Sequence, residues 1–140
     1  MILAVALCLN AEKKYALNDL PPAVQQGIQS ELKGGEIRSI GKETEHGVIQ
    51  YEVETLRNGK HRDFNVDTKG AVVLVEEETT LDAVPAAARA AILKKVADGK
   101  LGLVETFTRG GETMYEASYQ TRAGRKREVL FKADGAETKD

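Results

Sequence analysis

Gly47–Gly70, GVIQYEVETLRNGKHRDFNVDTKG, is the stretch whose reading decides the fold. Ile49, Tyr51, Val53 and Thr55 alternate with Gln50, Glu52 and Glu54, a period of two that gives one apolar and one acidic face. Asn58-Gly59 then supplies the dipeptide that favours a two-residue hairpin turn. Phe64 and Val66 carry the apolar face back across that turn, while Asp63, Asn65 and Asp67 alternate outward. After a turn at Lys69-Gly70, Ala71–Val75 is a short apolar run followed by three glutamates. It reads as a fourth strand, apolar on both faces near its start.

Gly111–Gly135, GETMYEASYQTRAGRKREVLFKADG, reads as a second version of the same stretch. An offset of 64 pairs Leu20-Pro21 with Val84-Pro85, Ile28 with Ile92, Gly47 with Gly111 and Tyr51-Glu52 with Tyr115-Glu116. One extra residue in the second hairpin loop shifts the offset to 65, pairing Gly59 with Gly124, Phe64 with Val129 and Gly70 with Gly135. Here Tyr115, Ala117 and Tyr119 face the core opposite Val129 and Phe131, and Glu116, Ser118, Gln120 and Glu128 face away. The polar tail AETKD leaves the fourth strand of this copy shortened or missing.

A helix precedes each set of strands. Pro21 and Pro22 suit its initial turn, where a proline costs little because that N–H would have no partner. Asn18 or Asp19 is the expected cap. Val24, Ile28 and Leu32 recur along one face, and Gly34-Gly35 stops the helix. Ala88, Ile92 and Val96 make the matching stripe before Asp98-Gly99. Gly27 and Ala91 are small at equivalent places, as a helix lying close to a sheet needs. The first strands, near Ile37–Thr44 and Leu101–Thr108, alternate less cleanly, and a bulge is expected near Gly41.

The expected fold is therefore α+β: a tandem repeat of one helix plus a three- to four-stranded antiparallel sheet. Repeat 1 spans 12–80 and repeat 2 spans 81–140. The helices cover one sheet face and the other face is open and polar. A unit of about 60 residues sits near the lower limit for a self-sufficient core, so the two are expected to share one. Whether the two sheets merge edge to edge is left open by the patterning.

Composition narrows the function. With 140 residues, 41% hydrophobic and 30% charged, the chain has the make-up of a folded domain. A formal net charge of -2 gives no electrostatic footprint for nucleic acid. Cys8 is the single cysteine, which excludes an internal disulfide and a thiolate metal cluster. Met1–Leu9 is almost continuously apolar but too short to cross a bilayer, which takes about 20 residues. Residues 1–11 suit the apolar core and small-residue exit of an export signal peptide remnant, cleaved after Ala11. The alternatives are acylation at Cys8, giving a lipid anchor, or a short strand tucked into the core.

The helix beginning at Leu20-Pro21, the strand with Tyr51-Glu52-Val53 and the turn phrase Asp63–Gly70 (DFNVDTKG) resemble the PepSY-like domains, which are similar to the beta-lactamase inhibitor protein. The resemblance covers Leu17 to about Gly135 in two copies. It implies an exported bacterial, non-enzymatic module, periplasmic or secreted, that binds or inhibits other proteins, often hydrolases. In the inhibitor, a concave sheet built from tandem units grips the enzyme. This chain departs from it in lacking disulfides and an aromatic-rich contact surface; aromatics are 5%.

No residue set forms a reaction centre, and no cofactor or metal is expected. Asp63-x-Asn65-x-Asp67 imitates the start of a calcium loop, but the sixth and twelfth places hold Thr68 and Leu74 in place of glycine and glutamate. The polar face of a strand accounts for it better. His46 and His61 read as exposed loop residues. Arg122, Arg125, Lys126 and Arg127, with Arg57, Lys60 and Arg62 as their counterpart, read as charged hairpin tips that discourage edge aggregation. A carboxylate pair for acid–base catalysis needs a concave, partly desolvated site, which a flat sheet face does not supply. The expected function is binding of a protein or peptide through the open face, presenting Glu52, Glu54, Asp63, Asn65, Glu116, Ser118, Gln120 and Glu128, with the inhibitor-like action toward a hydrolase that the resemblance implies. The alternative is an envelope-associated structural protein acting by self-association.

Overall fold

The computed structural model describes residues 13–139, so the export-signal, cleavage and acylation expectations on residues 1–12 lie outside the described residues. The order is a 3-10 turn at Leu17–Asp19, α1 (Pro22–Glu31), β1 (Glu36–Glu45), β2 (Val48–Arg57), β3 (Lys60–Asp67) and β4 (Val72–Thr79). A second 3-10 turn at Leu81–Ala83 leads to α2 (Ala86–Val96), β5 (Lys100–Arg109), β6 (Glu112–Gln120), β7 (Lys126–Phe131) and β8 (Glu137–Thr138).

All eight strands lie in one antiparallel sheet, in the order β1 to β8. This overturns the expected tandem repeat of a helix with its own three- to four-stranded sheet. The deciding contact is β4 against β5, with Val75 opposite Thr108 through to Thr79 opposite Val104. Its physical reason lies at the end of the apolar run: Val75 packs in the α1 cluster on one face, and Leu74 packs with Phe107 of β5 on the other. A strand with hydrophobic side chains on both faces is a poor edge, because its bare N–H and C=O groups invite foreign pairing. Pairing with β5 covers that edge from Val75 to Thr79. The two open ends of the sheet are instead the charged β1 and the two-residue β8.

Turn chemistry sets the register. Asn58 and Gly59 both have positive φ (53° and 76°), the conformation a two-residue turn needs to follow the strand twist, and Arg57 duly pairs with Lys60. His46-Gly47 and Gly110-Gly111 make the other two turns of this kind. Irregularities fall at Ile37/Ser39 in β1 and Leu101/Val104 in β5, whereas Gly41, the expected bulge, stays in register with Glu52.

Both helices cover the same face. Val75 packs with the α1 cluster of Val24, Ile28, Ile40, Tyr51, Val53, Phe64 and Val66. Thr79, four residues on and so on the same side, opposes Val104 of the α2 cluster, which holds Ala88, Ile92, Ala117, Val129 and Phe131. Ile49, expected in the core, is instead 39% exposed at the start of β2. The helix starts also differ in detail. Pro21 and Pro85 occupy the N-cap positions with no side-chain cap, and Asp19 and Asp82 sit in the 3-10 turns.

Gly27 does bring α1 close to something, but to a turn rather than the sheet. A Cβ there would lie 2.1 Å from the carbonyl oxygen of Gly70, and one on Gly70 would lie 2.1 Å from that of Ala23. Arg62, expected at a hairpin tip, is buried beneath the same helix. Its Nε donates to Glu77 Oε1 at 2.7 Å, its Nη1 to the Glu31 carbonyl at 3.0 Å, and its Nη2 to the Glu31 carboxylate. One guanidinium thus ties α1, β3 and β4 together.

Candidate functional site

The face away from the helices takes every second residue of the strands, and register shows which lie side by side. Glu52 on β2 opposes Asn65 on β3, Asp63 on β3 opposes Glu76 on β4, and Glu78 on β4 opposes Glu105 on β5. Glu105 opposes Glu116 on β6, and Ser118 opposes Glu128 on β7. Residues directly opposite have Cβ atoms about 5 Å apart, so like charges there repel. Carboxylates therefore cross the sheet from β2 to β7 without a break larger than one strand.

The face is not flat. Arg109 Nη2 on β5 donates to Glu45 Oε1 on β1 at 3.0 Å. Four strand spacings of about 4.8 Å would set those strands roughly 19 Å apart in a flat sheet, beyond the reach of the two side chains. The sheet curls so that this face is concave. Asn65 Nδ2 also reaches across β2 to Glu43 Oε1 at 2.7 Å, and bonds Gln50 Oε1 at 3.1 Å.

The expected polar face has an apolar floor. Leu74, Phe107 and Leu130 form a third buried cluster with Met114 against it, and Phe107 is only 1% exposed. The Arg109 guanidinium lies 5.2 Å from the Phe107 ring centre, so the Glu45 ion pair holds it over the patch. This second small core on the concave side gives the sheet a reason to curl.

Glu76 sits where floor and carboxylates meet, flanked by Asp63 on β3 and Phe107 on β5. Burial first, then the charges of Glu116, Glu105, Asp63 and Glu52, push its carboxyl up to about 8. Burial also raises Glu105, with Asp63, Glu128 and Glu78 adding to it and His61 opposing. Asp63 is raised by burial and by Glu54, against the hydrogen bond from Thr55 N–H and the charge of His61. Thus the partly desolvated concavity that the sequence denied to this face is present.

The structure brings most of the expected site residues onto this surface. Glu54 accepts a hydrogen bond from Ser39 Oγ and, with Arg38, His61 and Asp63, lines a hollow of about 370 Å³ at one end. Asp63 Oδ1 takes the Thr55 N–H at 2.8 Å. Asn65 is buried in its network with Glu43 and Gln50, and is a support rather than an exposed contact. Ser118 Oγ takes the Leu103 N–H at 2.8 Å, which satisfies the irregular part of β5. Gln120 lies apart at the β6–β7 loop, where Nε2 donates to the Gly124 carbonyl at 3.1 Å. Sequence reasoning missed Glu76, Glu78, Glu105 and Arg109. The run Glu76-Glu77-Glu78 was the available signal, since alternation sends its outer two members to one face.

No family model matches the chain, so the PepSY resemblance gains no support there, and no curated protein sequence matches. Solved structures do. A DUF2874 family protein from Bacteroides uniformis superposes with a TM-score of 0.67 at 17% identity, covering 85% of this chain and 86% of that one. A Bacteroides eggerthii protein provisionally described as periplasmic gives 0.66 at 18%, covering 86% of each chain. A BLIP-like protein from Bacteroides fragilis gives 0.60 at 17%, covering 86% of this chain and 84% of that one. None of these descriptions names an enzymatic activity. At such identities the likeness is one of fold, and the fold of this chain is the BLIP-like fold.

Proposed function

We propose that this protein is a non-enzymatic binding module of the periplasm whose curled face takes a cationic segment of a partner protein. The observation that carries the reading is the run of carboxylates from Glu52 to Glu128 across a concave sheet with an apolar floor. Opposite charge steers such a segment to the face and fixes its register, and aliphatic lysine or arginine stems can lie along the half-buried floor. The periplasmic description of the Bacteroides eggerthii structure with this fold supports the location. If the captured segment borders the catalytic cleft of a hydrolase, binding would inhibit it.

The test is capture from an envelope extract of the source organism, with the wild-type chain and the double variant Glu52→Lys, Glu116→Lys as paired baits. The reading expects a protein retained by the wild type and lost with the double variant, whose circular dichroism stays that of the wild type. Retention by both baits would refute the choice of surface. Recovery of the bait alone, with mass rising with concentration, would favour self-association.

A further inference from the structure

Three cross-strand pairs on the concave face set carboxylate against carboxylate: Asp63 with Glu76, Glu78 with Glu105, and Glu105 with Glu116. Adjacent strands that carry full like charges at directly opposed positions push each other apart. The strands concerned are β3 to β6, and β4–β5 is the pair that joins the two halves of the sheet. Cations border this group as well: His61 on β3, Arg38 on β1 in the hollow beside Glu54 and Asp63, Arg109 on β5, paired with Glu45, and Lys126, two residues before Glu128 on β7. Glu52 and Glu54 face it from β2, Glu78 from its own strand, Glu116 from β6 and Glu128 from β7. Phe107, directly beside Glu76, keeps water from one flank.

We propose that this face holds a proton among Glu76 and its neighbours above the pH at which ordinary carboxyls have lost theirs, so that its charge and the cohesion of β3 to β6 are both set by pH. Sharing one proton removes a negative charge from the middle of the group, where it would meet the most neighbours. Release restores that charge, loosens the β4–β5 seam and strengthens attraction for a cation. As a regulator of capture the device rests on the docking role given above; as a property of the sheet it does not. The direction of the shift at Asp63, Glu76 and Glu105 agrees with the geometry.

The linkage has a definite sign. A carboxyl that titrates higher in the folded chain makes the native state bind more protons than the unfolded one between the two midpoints. Stability then falls as pH rises through that window, from about 4.5 to about 8 for Glu76.

Carbon-detected NMR of the side-chain carboxyls in the full chain, from pH 3 to 10, reads this directly and needs no partner. One glutamate midpoint is expected above pH 6.5, absent from Glu76→Gln and moved downward in Glu116→Gln. Thermal unfolding of the wild type should give a higher midpoint temperature at pH 5.5 than at pH 9, with the difference reduced in Glu76→Gln. The proposal is overturned if every carboxyl titrates below pH 5.5, or if the high midpoint survives Glu76→Gln. Retention of a partner by both baits would refute the docking surface yet leave this titration in the wild-type chain untouched, so the two claims fail separately.

Discussion

Arg62→Met tests whether one buried guanidinium locks the first helix to the sheet. The Arg62 side chain is 6% exposed and donates to the Glu31 carboxylate, the Glu31 carbonyl and the Glu77 carboxylate. Burial disfavours its charge, but the hydrogen bonds it donates to the Glu31 and Glu77 carboxylates, with their negative charge, outweigh that and hold it more firmly protonated. Methionine keeps much of the stem while removing every donor. Glu77 is half exposed and can return to water, whereas Glu31, at 16% exposure, stays beneath the helix end with the exposed Lys33 ammonium, at 3.4 Å, as its remaining cation. Removing one partner of a buried pair costs about 3–5 kcal/mol, and the half-exposed second acceptor and Lys33 hold this case to the lower part of that range, near 3–4. With an unfolding entropy of ~2.1 cal/mol/K per residue, that lowers the melting temperature by ~10–14 °C. The assay is urea and thermal unfolding of Arg62→Met, Glu31→Gln and the double variant. The double variant should be less damaged than the sum of the singles, by at least ~1 kcal/mol. A cost under ~1 kcal/mol for Arg62→Met, or strict additivity, would refute the lock.

Three further outcomes follow from the packing. Glu76→Gln should stabilise the protein at pH 9 and leave it nearly unchanged at pH 4. The gap between 4.5 and about 8, at ~1.36 kcal/mol per pH unit, caps the gain at ~5 kcal/mol, read by urea denaturation at the two pH values. Gly27→Ala should destabilise by ~1–3 kcal/mol despite alanine's better helix propensity, because its Cβ would meet the Gly70 carbonyl; thermal melts decide the sign. Phe107→Ala should cost ~3–4 kcal/mol and, by admitting water beside Glu76, bring that carboxyl's NMR midpoint down.

Much of the strand layout was legible because period-two alternation and turn dipeptides act locally. Tyr51, Val53, Phe64 and Val66 read as one core face and Glu52, Glu54 and Asp63 as the other, and Asn58-Gly59 fixed where the chain reverses. The union of the two expected sheets was not legible. It depends on β4 meeting β5, and the only trace of it in sequence was an apolar run that had nowhere obvious to bury both faces. The curvature was further out of reach, since Arg109 and Glu45 lie 64 residues apart and neither is unusual in its own neighbourhood. Arg62 misled for a similar reason. Beside Lys60 and Arg57 it looked like one member of a basic hairpin tip, while strand alternation points it at Glu31, a residue of α1. The centre of the carboxylate group was missed because Glu76 acquires its environment from Phe107 and Glu116 on later strands.

The most direct measurement of the central claim, that the curled face receives cationic chain segments, is an amide chemical-shift map of the full-length protein titrated with octalysine at low and high salt. The account predicts saturable shifts confined to the neighbourhood of Glu52, Asp63, Glu76, Glu105 and Glu116, stronger at pH 8.5 than at pH 6 and much weakened at high salt. Shifts centred on α1, α2 or the hairpin tips, or none on the concave strands, would contradict it.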